Sequence, residues 1–277
     1  ESRNETISFR STSGVAALPF LKHVDSNSKV GDHSQLLDEI KDVLINRGVS
    51  LDETDGALVF SSRLAELVPD GDMVKSVVDD VETILKKYAG TARPQPYYAL
   101  LIADGDNMGA AIDHQTTLPN AEECHRELSM ALSRYARKVG DIVEQHQGTL
   151  VYSGGDDIMA YLPLHTALNC AQQLAEGFAN AMSRFQTANG VSPTLSTGIV
   201  VAHHLDPLSD TLELARSAER VAKTVTGKHG LAITVSKRSG TDRTIKDKRV
   251  DLQARLERMI DWRRDGALAA GVAYELQ

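Results

Sequence analysis

The hydrophobic positions in the first ninety residues recur with a helical period. In SQLLDEIKDVLINRG (residues 34–48) apolar side chains return every three or four positions, and a glycine ends the segment. DMVKSVVDDVETILKKYAG (residues 72–90) repeats this pattern, with Asp72 as a candidate N-cap and two lysines in the last turn. Residues 1–32 are rich in Ser, Asn and Asp, so we expect mostly irregular chain there, with one short helical anchor at VAALPFL (residues 15–21).

After the ARPQP break (residues 92–96) the pattern changes. YYALLIA (residues 97–103) is a continuous apolar run of strand length, as expected for a strand covered on both faces. The later segments predict a helix from about 120 to 146, a strand pair over 150–162, a helix over 165–186, a strand over 194–204, a helix over 208–225, a strand over 230–240 and an amphipathic helix from 250 to 264. The predicted order is β-α-β-β-α-β-α-β.

The first six of these elements predict an α+β fold of the split ferredoxin-like kind, with one antiparallel sheet and helices on one of its faces. We therefore expect three parts. Residues 1–94 are mostly helical, residues 95–240 form the main domain, and residues 241–277 begin a C-terminal helical segment. MIDW (residues 259–262) is expected to contribute buried, core-facing side chains to that last helix.

Composition narrows the function. The formal net charge of −8 excludes a free-standing nucleic-acid binder on bulk electrostatics, so contact with RNA needs a local basic patch or a partner subunit. The two cysteines, Cys124 and Cys170, form no CxxC pair, which favours reduced thiols in a cytoplasmic protein over a zinc site. There is no signal peptide and no run of about 18 apolar residues, so we expect a soluble chain without a membrane partner.

Two acidic motifs indicate the chemistry. DGDNMG (residues 104–109) directly follows the first strand, and GGDD (residues 154–157) lies at the turn of the strand pair. The predicted topology brings Asp104, Asp156 and Asp157 to the same edge of the sheet, where their mutual repulsion requires cations. Two Mg²⁺ ions would satisfy these oxygen ligands and assist an in-line displacement at phosphorus. The glycines would let the backbone approach a triphosphate.

Each motif also has a simpler interpretation. Gly and Asp are favoured turn residues, so GGDD by itself is compatible with an exposed turn. Lys223 is compatible with a solvated surface lysine. His203 and His204 end a strand and should point to opposite faces, which favours core or subunit contacts over one shared metal. The basic stretch SKRSGTDRTIKDKR (residues 236–249) is either a solvated loop or a contact for RNA, triphosphate or a partner.

The motifs DGDNMG, YSGGDD, LSTGIVVAHH and ARSAERVAK, in this order, resemble the GGDEF-type palm superfamily of nucleotide cyclases and polymerases. Within it, the chain looks most like the palm of the large subunit of type III CRISPR effector complexes, and FRSTSGVAALPF resembles a stretch upstream of the palm in the III-B type. The resemblance covers residues 95–240 well. It implies synthesis of cyclic oligoadenylate from ATP with two Mg²⁺ or Mn²⁺ ions, in a complex with other subunits, guide RNA and target RNA.

The resemblance also implies roles for individual residues. Asp104, Asp156 and Asp157 match the catalytic, metal-binding aspartates, and Gly105 is a further metal-site position. The implied nucleotide-binding positions are Gly105, Asp106, Asn107, Ser153, Gly154, Gly155 and Lys223, the last being the lysine that reaches the triphosphate in related cyclases.

The chain also departs from these relatives. It lacks the His-Asp pair of their nuclease domain and their zinc-binding cysteines, and it looks like a trimmed or naturally short form. Two alternatives to oligoadenylate synthesis remain open. One is a catalytically silent nucleotide-binding or scaffold subunit, and the other is a stand-alone dinucleotide cyclase.

Overall fold

The structure, a computed structural model, describes residues 10–51, 55–68, 70–238 and 240–267. The helices in these ranges are α1 (Thr12–Asn27), α2 (His33–Asn46), a 3₁₀ helix (Gly56–Val59), α3 (Ser61–Leu67), α4 (Gly71–Ala89), α5 (Met108–Thr116), α6 (Ala121–Gln145), α7 (Leu164–Met182), α8 (Leu208–Lys223) and α9 (Arg249–Arg264). The strands are β1 (Tyr97–Asp106), β2 (Thr149–Ser153), β3 (Ile158–Leu162), β4 (Thr194–His203), β5 (Gly230–Val235) and β6 (Arg243–Lys248).

The strands form one sheet in the order β2-β3-β1-β4-β5-β6. The pairs β2–β3, β3–β1 and β1–β4 are antiparallel, β4–β5 is parallel, and β5–β6 is antiparallel. The elements β1, α6, β2, β3, α7 and β4 therefore have the ferredoxin-like order, which confirms the predicted α+β fold. In the register of this sheet, Ala103 lies opposite Ile158 on one side and Thr197 on the other.

Helices cover both faces of the sheet because β1 is apolar on both. Ala99, Leu101 and Ala103 belong to a buried cluster with α6 and α7. Tyr98 and Leu100 belong to a second cluster with α1 to α4 and α8. Side chains two apart share a face, so Asp104 lies on the face that α8 covers.

The prediction that residues 1–32 are mostly irregular was wrong for α1. The Ser11 side chain accepts a hydrogen bond from the Gly14 amide at 2.9 Å, which caps the helix. The apolar positions that follow are buried, including Phe20 and Leu21, although Pro19 lies inside the helix. Burial of this apolar face outweighs the weak helix propensity of the segment. Residues 1–9 lie outside the described residues.

The C-terminal part also differs from the prediction. The strand expected over 230–240 ends at Val235, and the basic stretch that follows contains the edge strand β6. Helix α9 lies where a helix was predicted, but the interpretation of MIDW as helix core was wrong. Met259 is 48% exposed, and Trp262 is 52% exposed. Helix α5, which begins inside DGDNMG, was not predicted.

The division at residues 94/95 and 240/241 stays a prediction, and the N-terminal helices share a buried cluster with β1, β4 and α8. In the described ranges, no helix combines the length and apolarity needed to cross a bilayer.

Candidate active site

Three aspartates meet at the edge of the sheet formed by the end of β1 and the β2–β3 turn; we call Asp104, Asp156 and Asp157 the acidic cluster. The Asp104 side chain is 29% exposed. Its carboxyl group lies close enough to that of Asp157 for the two to share a hydrogen bond when one of them is protonated. The two motifs are about fifty residues apart in sequence, and the antiparallel pairing of β1 with β3 brings them together.

Glycines shape the turn that holds Asp156 and Asp157. Gly155 has φ +102°, a conformation that L side chains rarely adopt, and the Gly154 amide donates to the Asp157 carbonyl at 2.9 Å. The side chain of Asp156 packs against Gly105, where an added Cβ would lie 2.7 Å from the Asp156 Cβ. The backbones of the two motifs are therefore in close contact, as the topology predicts.

The acidic cluster has too little positive charge around it. The hydrogen bond with Asp104, burial, and the charges of Asp104 and Asp156 raise the pKa of Asp157 to about 6, although Lys223 acts in the opposite direction. Asp157 therefore binds a proton more readily than an ordinary carboxyl group. A second cation at this edge would offset the negative charge and lower the pKa of Asp157, so that the carboxyl group would lose its proton.

Lys223, at the end of α8, supplies the one positive charge that directly contacts the acidic cluster in the described residues. Its Nζ contacts Asp104 Oδ2 and lies 3.2 Å from Glu219 Oε1. Burial lowers the pKa of Lys223, but the hydrogen bond to Asp104 and the charges of Asp104 and Glu219 outweigh that effect, so the pKa is raised. The ammonium group thus occupies a position where a metal ion could balance the carboxylates.

Two glycines let α8 lie directly on the sheet and fix the backbone from which the Lys223 side chain extends. A Cβ on Gly198 of β4 would lie 2.3 Å from the Glu219 amide nitrogen, and a Cβ on Gly230 of β5 would lie 2.1 Å from the Ala222 carbonyl oxygen. Since no side chain fits between α8 and these strands, the position of α8 is determined by backbone contact.

A cleft of about 280 Å³ opens beside the acidic cluster. Its walls include four residues that the sequence analysis did not identify, which are Tyr152, Met159, Arg216 and Glu219. Arg216 and Glu219 precede Lys223 by seven and four positions, so helical spacing alone would have placed them on the same face of α8. Tyr152 is 54% exposed and lies just before the GGDD turn.

Several predicted nucleotide-binding residues lie outside this cleft. Asp106 is fully buried, and its carboxylate accepts hydrogen bonds from Thr194 Oγ1 at 2.8 Å, from Ser196 Oγ at 2.8 and 3.0 Å, and from the His229 amide at 3.0 Å. The Ser153 hydroxyl is directed to the Ala136 carbonyl, 3.5 Å away. Their roles in nucleotide binding stay predictions, as does that of Asn107, which has φ +61° and begins α5.

The donor set fits a divalent metal ion in its chemistry, because carboxylate oxygens are the ligands that Mg²⁺ and Mn²⁺ prefer. Among residues 10–51, 55–68, 70–238 and 240–267, no three His, Cys, Asp or Glu side chains are arranged to hold a metal ion. One carboxylate oxygen of the acidic cluster, Asp104 Oδ2, contacts the Lys223 ammonium group.

The other conspicuous pair, His203 and His204, lies at the opposite end of β4. The expectation that the two side chains point to opposite faces was wrong, since the rings lie 4.8 Å apart, centroid to centroid. His204 follows the last residue of β4, so the alternation of the strand no longer applies to it. It is 3% exposed and its Nδ1 lies 2.7 Å from Ser13 Oγ of α1, which agrees with the predicted core role.

Comparisons with known proteins agree with this geometry. Residues 97–232 match the family model of the Cas10/Cmr2 second palm domain. The chain is 34% identical over 195 residues to the CRISPR system Cmr subunit Cmr2 of Pyrococcus furiosus, covering 62% of this chain and 22% of that protein. It is 28% identical over 102 residues to the CRISPR system CMR subunit Cmr2 of Saccharolobus solfataricus, covering 30% of this chain and 10% of that protein. The chain thus spans about a fifth or less of these relatives.

Solved structures show the same fold. A chain of the type III-B Cmr-beta complex in its apo state matches 97% of this chain and 40% of its own length, with a TM-score of 0.61 and 14% identity. A chain of the Cmr-beta complex bound to cognate target RNA matches 88% of this chain and 37% of its own, with a TM-score of 0.51 and 16% identity. Residues 97–232 are therefore a palm domain. This part of the chain matches the Cas10/Cmr2 family, which confirms the resemblance that the motifs implied.

Proposed function

We propose that this palm is a metal-dependent nucleotidyltransferase that makes cyclic oligoadenylate from ATP within an RNA-guided type III effector complex. The observation that supports this most is the contact between Asp104 and Asp157, two carboxyl groups whose hydrogen bond, together with burial and then repulsion, raises the pKa of Asp157 to about 6. Such a pair beside a cleft is typical of a site that binds cations and phosphates.

In the proposed reaction, a hydroxyl oxygen of one ATP attacks the α-phosphorus of another. The new oxygen–phosphorus bond forms as the bond between the α-phosphorus and the oxygen bridging to the β-phosphorus breaks, pyrophosphate leaves, and the hydroxyl proton passes to solvent. The ring closes when the terminal hydroxyl of the oligomer attacks the α-phosphorus at its other end, with loss of a further pyrophosphate. Two Mg²⁺ or Mn²⁺ ions would lower the pKa of the attacking hydroxyl and neutralise the leaving pyrophosphate. The three aspartates would hold both ions, with Gly105 as a further position of the metal site.

Other residues of the chain would bind and orient the nucleotide. Gly155 leaves room for phosphate oxygens next to the turn, because an added Cβ there would meet no atom nearer than Leu132 Cβ at 4.0 Å. Gly154 lets the Tyr152 hydroxyl lie against the turn, since an added Cβ would be 2.1 Å from that oxygen. Lys223, already at the acidic cluster, would contact the triphosphate. The exposed ring of Tyr152 borders the same cleft and could stack with a base.

We propose the other subunits of such a complex, guide RNA and target RNA as partners, and the cytoplasm as the location. The named relatives are Cmr2 subunits, and one similar chain comes from a complex bound to target RNA. With a net charge of −8, the chain would contact RNA mainly through the assembled complex.

The test is calorimetric titration of the chain with ATP and with GTP, with and without Mg²⁺ or Mn²⁺. Asp156→Ala/Asp157→Ala should abolish metal-dependent ATP binding. In the assembled complex it should lower oligoadenylate synthesis by about 10³-fold, as expected for removal of groups that stabilise transition-state charge. Asp79→Ala/Asp80→Ala is the matched control, because it removes an adjacent aspartate pair on α4 and should leave both readouts unchanged.

Three outcomes would contradict the proposal. Tight ATP binding without turnover, even with target RNA present, would favour a silent nucleotide-binding or scaffold subunit. Preference for GTP would favour a stand-alone dinucleotide cyclase. Unchanged turnover by the complex after the double substitution would exclude this acidic cluster as its active site.

A further inference from the structure

Glu219 is the second carboxylate in contact with Lys223, and neither the sequence motifs nor the proposed reaction gives it a role. It precedes Lys223 by one helical turn, and its Oε1 lies 3.2 Å from Lys223 Nζ. The Glu219 side chain is 13% exposed, less than the 33% of Lys223 and the 29% of Asp104. It lines the same cleft as Asp104 and Asp157. A carboxylate this buried beside the acidic cluster adds electrostatic repulsion, which is unfavourable unless a cation offsets it.

The backbone of Glu219 is held against the sheet, whereas the Lys223 ammonium lies at the end of a flexible side chain. The Glu219 backbone lies against Gly198 so closely that a Cβ there would be 2.3 Å from its amide nitrogen. Lys223 places its charge on a flexible four-carbon stem at the last residue of α8. The ammonium can therefore leave Asp104 while its contact with Glu219 is kept.

A divalent ion and the Lys223 ammonium cannot both contact the same Asp104 oxygen, because their charges repel and the lone pairs there are limited. Metal binding at Asp104 Oδ2 therefore requires the ammonium group to move away. A displaced ammonium group without another acceptor would remain close to the metal ion, and its positive charge would weaken metal binding.

We propose that Lys223 competes with the metal ion for Asp104, and that Glu219 is a positioning residue that retains the ammonium group when the ion binds. The proposal rests on the proposed function in one respect, since it takes Asp104 as a metal ligand. Held by Glu219, the ammonium stays beside the cleft at a distance from the ion, where it can meet an incoming phosphate. Glu219 acts here through Lys223 and does not itself bind the metal.

The test measures Mn²⁺ binding without nucleotide, by calorimetry on the 277-residue chain. Lys223→Met should tighten Mn²⁺ binding by about tenfold, the order expected when one competing charge pair is removed from a partly exposed site. Glu219→Gln should weaken Mn²⁺ binding by about threefold, because the displaced ammonium then has no second carboxylate. Lys86→Met and Glu213→Gln change the same charges on exposed faces of α4 and α8 and control for net charge.

The double variant separates the two roles that Glu219 could have. If Glu219 acts only through Lys223, Glu219→Gln changes nothing in the Lys223→Met background. If Glu219 is itself a metal ligand, it weakens binding equally in both backgrounds, and the proposal is overturned. Thermal unfolding of each variant, with far-UV circular dichroism, verifies that the palm is folded. Weak Mn²⁺ binding is then not confused with loss of the fold.

The same titrations distinguish this proposal from the proposed function. If the wild-type chain binds Mn²⁺ and Lys223→Met binds it no better, the competition is disproved while the metal site stands. If wild type and Lys223→Met both fail to bind Mn²⁺, the metal site and the competition both fall. Binding by Lys223→Met alone would support the competition in its strongest form.

Discussion

The two ends of β1 and β4 hold polar clusters of opposite character. At one end, the acidic cluster is partly exposed, and the hydrogen bond with Asp104, burial and unbalanced charge raise the pKa of Asp157 to about 6. At the other end, His204 is enclosed by Ser13, Phe60 and His203. There, burial first and then the charges of His203 and Arg63 lower the pKa of His204 to about 4, which keeps the ring neutral. Both groups are conspicuous in the sequence. Of the two, the acidic cluster lacks enough positive charge to balance it, whereas the histidine end does not.

The hydrogen bonds at the histidine end show why it is structural. Arg63 Nε donates to Ser13 Oγ at 2.7 Å, so the Ser13 hydroxyl proton is free to go to His204 Nδ1. Thr12 Oγ1 also donates to the His204 carbonyl at 3.1 Å. Thr12 and Ser13 therefore join the first turn of α1 to the end of β4. Polar atoms that satisfy one another are typical of a structural contact, whereas carboxylates that share a proton are typical of a binding site.

The largest effect is expected where α8 meets the sheet, since the acidic end depends on that contact. Gly198→Ala would place a Cβ against the α8 backbone, 2.3 Å from the Glu219 amide nitrogen. We expect the free energy of unfolding to fall by about 2–3 kcal/mol, with loss of Mn²⁺ binding. Urea unfolding followed by circular dichroism measures the first effect, and calorimetry measures the second.

Gly140→Ala is the matched control for that prediction. Gly140 lies inside α6, where a new Cβ would meet only Leu150 Cδ2 at an ordinary 3.8 Å. This substitution should raise stability by about 0.5–1 kcal/mol. Equal stability of the two variants would show that α8 is not held by close backbone contact at Gly198.

The next largest effect is on the pH dependence of stability, to which the histidine end and the acidic end contribute with opposite sign. His204 has a pKa of about 4 in the folded protein, below its ordinary value of 6.5, so the unfolded chain binds more protons between these values. Its contribution to stability is complete above pH 6.5 and is lost as the pH falls towards 4. We expect a loss of about 2 kcal/mol between pH 7 and pH 5, measured by urea unfolding.

His204→Gln should make stability less dependent on pH over this range, while Mn²⁺ binding at pH 7 stays unchanged. The contribution of Asp157 has the opposite sign, because its folded pKa lies above 3.8. That contribution is complete below pH 3.8 and is lost as the pH rises through about 6. A steeper pH dependence in His204→Gln than in wild type would contradict the assignment to His204.

The smallest effect concerns metal binding at the acidic end. A metal ion requires the deprotonated carboxylate, and Asp157 has a pKa of about 6. The Mn²⁺ affinity should therefore fall about tenfold between pH 7 and pH 5. Calorimetry at several pH values checks this. Asp157→Asn should bind Mn²⁺ more weakly, with a shallower pH dependence, and an unchanged dependence would assign the titrating group elsewhere.

The ferredoxin-like order could be predicted from the sequence because local patterns encode it. The apolar run of β1, the helical spacing of α6 to α8 and the glycines of the GGDD turn each define an element without help from distant residues. Antiparallel pairing then requires Asp104 and the GGDD turn to meet at one edge. Local pattern together with topology was thus sufficient for the acidic cluster.

Other features could not be predicted because they depend on contacts between distant segments. Helix α1 is stabilised by burial against the rest of the molecule and contains a proline that argues locally against it. The edge strand β6 has a polar, basic sequence and forms because it pairs with β5. In both cases tertiary contacts outweigh local propensity.

The sequence by itself determined which carboxylates gather, because strand order fixes the edge at which they lie. Only the tertiary structure decided how their charges are balanced. It placed Asp106 in a buried hydrogen-bond network, brought Lys223 to Asp104, and set Glu219 beside both. The physical reason is that charge balance depends on distances of a few ångströms between side chains from different elements, and the backbone contact of α8 with Gly198 and Gly230 sets those distances.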